Sequence, residues 1–346
     1  MTETYDYIIV GGGSAGCVVV NRLSANPKNR GLLIESGRRD SDPWIHIPAT
    51  FFKVLGKGID IHPYASDPEP GLNGRPGIVP QGNVLGGGSS VNAMIYIRGH
   101  RNDYDTWSQM GCRGWSYDDV LPAFKALEKN QVFNGEYHGQ GGTLAVSNPR
   151  HRHPLSEAFV KAAVESGLKP NADFNGADQE GVGFYQSTTH GGRRWSSAMA
   201  FLREAEKRPN VTVLTERKVA RVLFEGRKAV GVALLDGTVY KANREIVLTA
   251  GAIATPRLLQ LSGIGNGDHL ASLGIDVVAD LPGVGENYQD HMEVPVQAET
   301  REPISILGHD TGLRAVGHML RYLTTKQGLL SSNVVECGGF VDTAGT

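Results

Sequence analysis

The chain carries 346 residues, with 34 Lys and Arg against 36 Asp and Glu and a formal net charge of −2. At roughly 150 residues per domain that length suggests two domains, and the near-neutral balance argues against a nucleic-acid protein, which would show a basic stripe. Glycine is in excess, 45 residues or about 13% against a usual ~7%. The glycines cluster between apolar runs with no collagen-like period, as backbone does where it must approach a ligand closely. Cys17, Cys112 and Cys337 are too scattered for a disulfide framework or a zinc site. Cys112 and Cys337 read as packed thiols, and no metal is expected. The start of the chain is acidic and polar, without a signal-peptide pattern, and no window is long and apolar enough for a membrane span. A cytoplasmic protein is the expectation.

Tyr7-Ile8-Ile9-Val10 is a continuous apolar run, the pattern of a strand buried on both faces of a parallel sheet. It leads into Gly11-Gly12-Gly13-Ser14-Ala15-Gly16, then a helical pattern from Ala15 to Leu23 that stops before Pro27. A second apolar run, Leu32-Leu33-Ile34, ends at Glu35. In a nucleotide-binding βαβ unit, Gly11 would make the tight turn, Gly13 would admit a pyrophosphate, and Gly16 would let helix and strand pack closely. The helix N-terminus offers free N–H groups to the phosphates. Glu35 lies where a carboxylate accepts hydrogen bonds from a ribose diol and would repel a 2′-phosphate. This unit alone leaves NAD and FAD open.

Residues 43–80 read as a long irregular excursion rich in Pro, Gly and aromatics, a ligand-covering segment. A second glycine-rich segment runs from Gly82 to Gly99 with the polar Asn92 set inside an apolar run, a stretch that allows a flat ring to lie on backbone amides. Asn210 to Ala220, Lys228 to Leu235 and Val239 to Leu248 read as strands, with Asp236-Gly237 as a hairpin turn. A third junction follows, where Ile246-Val247-Leu248 runs into Ala250-Gly251 and a helix with Pro256 in its first turn. It suggests a late strand returning to the same ligand edge.

With these segments in hand, the chain closely resembles the glucose–methanol–choline (GMC) oxidoreductases, FAD-dependent enzymes acting on alcohols. The resemblance rests on Gly82 to Asp105, Gly251 to Gly265 and Pro282-Gly283-Val284-Gly285-Glu286-Asn287-Tyr288-Gln289-Asp290-His291, besides the first unit. Asn92-Ala93-Met94-Ile95-Tyr96-Ile97-Arg98-Gly99-His100 is most like the choline-dehydrogenase and alcohol-dehydrogenase branch. It implies an α/β (α+β overall) fold: a Rossmann-like FAD-binding domain with a discontinuous, incomplete antiparallel-sheet substrate domain. The implied order is FAD-binding 1–150, substrate 151–189, FAD-binding 190–292 and substrate 293–346. It also implies that Gly11, Gly13, Ser14, Ala15 and Gly16 hold the pyrophosphate, Glu35 the ribose, and the backbone of Val219 the adenine. Val84 and Asn92, Ala93, Met94 and Ile95 would line the flavin, with backbone N–H groups around Gly88 to Ala93 facing its negative charge and Ala250 and Gly251 at the same edge. Some relatives attach flavin through a His just before the Asn; Val91 stands there, so non-covalent FAD is expected. The catalytic His is expected C-terminal to Thr346, in a missing half, so no catalytic residue is assigned within the chain. The partners implied are a small-molecule alcohol and oxygen or a quinone-like electron acceptor.

Other candidates read as structural. His291 ends a family-typical run but is not the base there, and residues 150–153 read as a solvated loop. Arg194 reads as a surface ion pair or a phosphate contact. Ser89 and Ser90 do not form G-x-S-x-G, which removes hydrolase chemistry. An NAD-linked dehydrogenase would leave Gly82–Gly99 and Gly251–Gly265 unexplained. A non-catalytic nucleotide-binding protein stays open at this stage.

Overall fold

The computed structural model describes residues 3–343. The chain forms two compact units: residues 1–41, 58–91 and 196–297 make the first, and 42–57, 92–195 and 298–346 the second. It passes to the second unit after Val91, where the sequence placed the first boundary after residue 150. Polar groups of residues 98–138 explain the difference: the Arg98 backbone N–H donates to Asn175 Oδ1, Asn130 Nδ2 donates to Gln186 Oε1 and His138 Nε2 bonds Asp173 Oδ2, all within the second unit.

The first unit is built on a six-stranded sheet. Its strands are β1 (Glu3–Val10), β2 (Gly31–Ile34), β5 (Val211–Leu214), β6 (Val219–Glu225), β7 (Lys228–Leu234) and β8 (Val239–Leu248). They stand in the order β5-β2-β1-β8-β7-β6. The β5, β2, β1 and β8 strands run parallel, and β6 and β7 close the sheet as an antiparallel meander on β8. One sheet face buries Tyr5, Ile8, Val10, Leu32, Ile34, Val232 and Leu234 with Leu258 of helix α2 (Gly251–Leu261). Each such side chain contributes roughly 1.5–3 kcal/mol. By strand alternation Ile9 and Leu33 point to the other face, the side of helix α1 (Ser14–Leu23). Helix α1 buries Cys17 and Val20 and packs on a π-helical turn, Ala198–Leu202, whose Ala198, Phe201 and Leu202 are also buried. Ser196 Oγ accepts from Met199 N at 3.3 Å at the start of that turn.

Four sequence expectations change here. Residues 210–220 are not one strand: the chain turns between β5 and β6, with Glu216 in the left-handed region. The excursion at 43–80 is largely regular. It holds short helices at Pro43–His46 and Phe51–Gly56, then an antiparallel hairpin of β3 (Ile61–Glu69) and β4 (Arg75–Gly82) turning through Asn73-Gly74 at positive φ. Cys112 is exposed, not packed. A hairpin does form at Asp236-Gly237, but through a three-residue loop and not a two-residue one: Gly237 N donates to Leu234 O at 3.1 Å, Leu234 N donates to Thr238 O at 2.8 Å, and Gly237 takes φ +86°.

In the second unit, Gly181–Phe184 pairs antiparallel with Cys337–Phe340. Its helices include Tyr117–Leu127, started by a Ser116/Asp119 capping box, and Pro154–Glu165. The interior holds charged and polar side chains: Arg98, Glu128, Asn130, His138, Asn175 and Gln186 are all buried.

Candidate cofactor site

The β1–α1 turn sits at the C-terminal edge of the parallel strands, where ligands bind in open α/β sheets. Gly11 takes φ +105°, its N–H donating to Ile34 O at 2.8 Å. A Cβ there would lie 2.6 Å from Thr249 O. At Gly16 a Cβ would fall 2.0 Å from Gly11 O, so this glycine sets how closely α1 approaches β1. Gly13 differs. It has ordinary φ, caps α1 without a side-chain bond, and an added Cβ would come no closer than 3.8 Å to protein. Protein packing does not demand glycine at 13. The α1 N-terminus has no acidic residue in its first turn, which leaves the N–H groups of Ser14, Ala15 and Gly16 free to receive an anion.

The second glycine segment lies against the first. Gly86 N donates to Gly12 O at 2.7 Å, and a Cβ on Gly87 would sit 2.7 Å from Gly13 Cα. Gly86 and Gly87 both take positive φ, which lets the backbones touch. Val84 is fully buried and bridges Arg38. Around Gly88, by contrast, a Cβ would meet nothing within 4 Å. The third junction closes on the same turn. β8 pairs with β1 up to Leu248 beside Val10, and Thr249 Oγ1 donates to Gly11 O at 2.8 Å. Ala250 caps α2 and its carbonyl accepts from Gln81 Nε2, while Gly251 takes φ +92°. Three glycine junctions far apart in sequence thus meet at one strand edge. Gln81 and Thr249 belong to this construction, although nothing in their own residue type singles them out.

Glu35 ends β2 beneath the turn. Its Oε2 accepts from Gly12 N at 2.7 Å, and its Oε1 from Gly37 N at 2.8 Å and Ser36 Oγ at 3.3 Å. Burial pushes its carboxyl above the usual range, against the lowering effect of those donors. Among the described residues the donors to its side chain are all neutral. A carboxylate has about four acceptor directions, so lone-pair capacity remains for a diol. Cys17, whose Sγ donates to Gly12 O at 3.3 Å, is a packing residue with a thiol pushed up to about 12 by burial. Val219, the residue matched to adenine, opens β6 and is half-buried, opposite Leu234.

Asn92 to Ile95 form a turn in the second unit. Asn92 is exposed, and its Oδ1 accepts from Met94 N at 3.0 Å. Met94 is fully buried at φ +63°. Ala93 O accepts from Asn333 Nδ2 at 2.8 Å, Met94 O from Thr188 N at 2.8 Å, and Ile95 bridges Ser187. Arg194 is not the surface residue the sequence suggested. It is 1% exposed and reaches this turn.

The elements fit a dinucleotide such as FAD: a phosphate-ready helix end, an unfilled space at Gly13 and Gly88, and a carboxylate below the turn. Among the described residues no group of three or more His, Cys, Asp or Glu is arranged to hold a metal, and no helix is long and apolar enough to cross a membrane. His291 is exposed, with its own N–H turned to Asp290 Oδ1.

The GMC oxidoreductase family model matches residues 5–293. The chain is 46% identical to alcohol dehydrogenase [acceptor] of Pseudomonas putida, over 97% of its own length and 62% of that protein's. It is 42% identical to mitochondrial choline dehydrogenase of Mus musculus, over 98% and 59%. Among solved structures it resembles an FAD-dependent oxidoreductase from Chaetomium thermophilum, with a TM-score of 0.85 and 32% identity over 95% and 60% of the two chains. It therefore spans about three-fifths of the length of the relatives it matches. On the strength of the family match and the edge where its glycine junctions meet, this chain belongs to the GMC oxidoreductases.

Proposed function

We propose that the protein oxidises the CH–OH group of a small-molecule alcohol with non-covalently held FAD. The observation that carries this reading is the meeting of three glycine junctions over the Glu35 carboxylate at one sheet edge. Relatives named for alcohol and choline, and a structural relative named as FAD-dependent, support it. When bound, FAD supplies the acceptor for the hydride of the alcohol carbon. The chain's own residues bind and orient. Ser14, Ala15 and Gly16 present N–H groups to the pyrophosphate, and Glu35 accepts from the ribose diol. Val219 offers backbone to the adenine, and Val84 with Asn92 to Ile95 borders the ring. Backbone N–H groups from Gly88 to Ala93 favour negative charge developing beside them. Val91, a buried aliphatic side chain, offers no atom for covalent attachment. By the same resemblance, the histidine that takes the hydroxyl proton belongs to the part of the relatives' length that this chain does not match. Oxygen or a quinone-like compound would be the electron acceptor.

The test is anaerobic addition of choline, primary alcohols and aromatic alcohols to two FAD-loaded proteins. One is the 346-residue chain; the other is that chain joined to the C-terminal portion of the Pseudomonas putida relative. Bleaching of flavin in the joined protein supports the reading. Flavin that stays oxidised in both proteins with every alcohol overturns it. Bleaching in the 346 residues alone would move the base into this chain and overturn its assignment to the unmatched portion.

A further inference from the structure

The sequence left Arg194 between a surface ion pair and a phosphate contact, and the glycine edge described above uses it as neither. Its guanidinium is buried in the second unit. Nε donates to the carbonyl of the fully buried Ile45 at 2.8 Å, and Nη1 donates to Asn92 Oδ1 at 2.8 Å. That same Asn92 oxygen receives the N–H of Met94, a buried non-glycine residue in the left-handed region. Such a conformation persists only where the surroundings over-determine it, and Asn92 Oδ1 is the acceptor that fixes it. Thr188 and Asn333 hold the carbonyls of the turn, but neither touches the Asn92 side chain through a bond that would orient it. Burial lowers the Arg194 guanidinium to about 9, so it stays a charged donor at neutral pH. A charged donor makes the stronger hydrogen bond, and the planar fork reaches two acceptors in fixed directions, which a lysine cannot do.

We propose that Arg194 is a positioning residue: anchored on Ile45, it holds the Asn92 side chain and, through it, the left-handed Met94 turn in the shape presented to the flavin. The flavin half of this statement rests on the function proposed above; the Arg194–Asn92–Met94 half stands on this chain alone. Arg194 acts through Asn92, so its loss and the loss of Asn92 must not add.

The experiment compares wild type with Arg194→Lys, Asn92→Ala, the double variant and Asn92→Asp, which keeps the acceptor. Two readouts are taken: hydrogen exchange of residues 92–96 without cofactor, and the visible circular dichroism of added FAD. Arg194→Lys and Asn92→Ala should each speed exchange of this segment about tenfold, one hydrogen bond's worth of protection. The double variant should go no further, and Asn92→Asp should stay near wild type. With FAD bound, the same variants should change the flavin dichroism in the same order. Unchanged exchange in Arg194→Lys, or additive effects in the double variant, overturns the positioning role. If Arg194→Lys does not fold, Asn92→Ala and Asn92→Asp decide: equal exchange in the two shows that the Asn92 acceptor holds nothing. Altered exchange with unaltered flavin dichroism overturns the flavin half alone. Wild type that binds no FAD overturns the proposed function while the exchange result still judges Arg194.

Discussion

Glu35 and Glu128 are both buried carboxylates that accept backbone and side-chain donors, yet they do opposite things. Glu128, in the second unit, accepts from Arg98 Nη2 at 3.0 Å, Gly139 N at 2.8 Å and Asn130 Nδ2 at 2.9 Å, and bonds His138 Nδ1 at 3.1 Å. Burial alone would raise its carboxyl, but the His138, Gly139 and Asn130 donors and the Arg98 charge outweigh that and hold it low. His138 bonds Asp173 Oδ2 on its other side, at 2.8 Å, and the two carboxylates lift it to about 9 against the effect of burial. Every charge there is answered within the unit. Glu35 is met by neutral donors only, so its charge is not answered by the protein, and its carboxyl is raised. The contrast separates a carboxylate met by cationic partners from one met by neutral N–H and O–H donors.

Removing Glu128 gives the largest expected effect. Glu128→Ala leaves Arg98 buried without its carboxylate and His138 with Asp173 alone, and should cost about 3–5 kcal/mol of stability. A urea-melt midpoint within error of wild type would show that this network does not hold the unit together. Gly13→Val should leave stability within about 1 kcal/mol, since no protein atom contests the first added carbon, while weakening FAD by about a hundredfold or more, ~3 kcal/mol. The opposite outcome, lost stability and retained flavin, would make Gly13 a packing residue like Gly16. Glu35→Ala should affect both, with roughly 1–3 kcal/mol lost in stability from orphaning the Gly12 and Gly37 N–H groups and roughly 1.5–3 kcal/mol in FAD affinity. An unchanged FAD dissociation constant would mean that the diol lies elsewhere. The smallest effect is that of pH. Because His138 is raised when folded, its contribution is complete below its ordinary 6.5 and fades as pH climbs through about 9. Melting curves of wild type should fall over that interval by on the order of 1 kcal/mol, and those of His138→Gln should not. Parallel pH profiles would remove His138 from the account.

What the sequence revealed follows the same division. The βαβ unit and Glu35 were legible because a buried strand, a glycine turn and an amphipathic helix each leave a local pattern. The third junction at Ala250-Gly251 was legible for the same reason, and β8 does return beside β1. The hairpin at 61–82 was read as irregular because its residues are mostly exposed on both faces and include Pro63, Pro68, Pro76 and Pro80, so no apolar alternation marks it. The charged interior left no trace at all. Arg98, Glu128, His138 and Asp173 lie 10 to 35 residues from their partners, and each alone resembles a surface charge. Arg194 was misread on the same ground: burial of a guanidinium depends on tertiary acceptors such as the Ile45 carbonyl, which no local pattern announces.

The central claim is that the glycine edge over Glu35 is a site for FAD. Its most direct test is equilibrium titration of the 346-residue chain and of Gly13→Val with FAD, with NADH and ADP as competitors, followed by acid precipitation. Saturable FAD binding to the wild type is expected, with displacement by ADP and by the same ADP moiety in NADH, and all flavin in the acid supernatant. Gly13→Val should bind FAD at least about a hundredfold more weakly. Equal FAD binding by the wild type and Gly13→Val would contradict it.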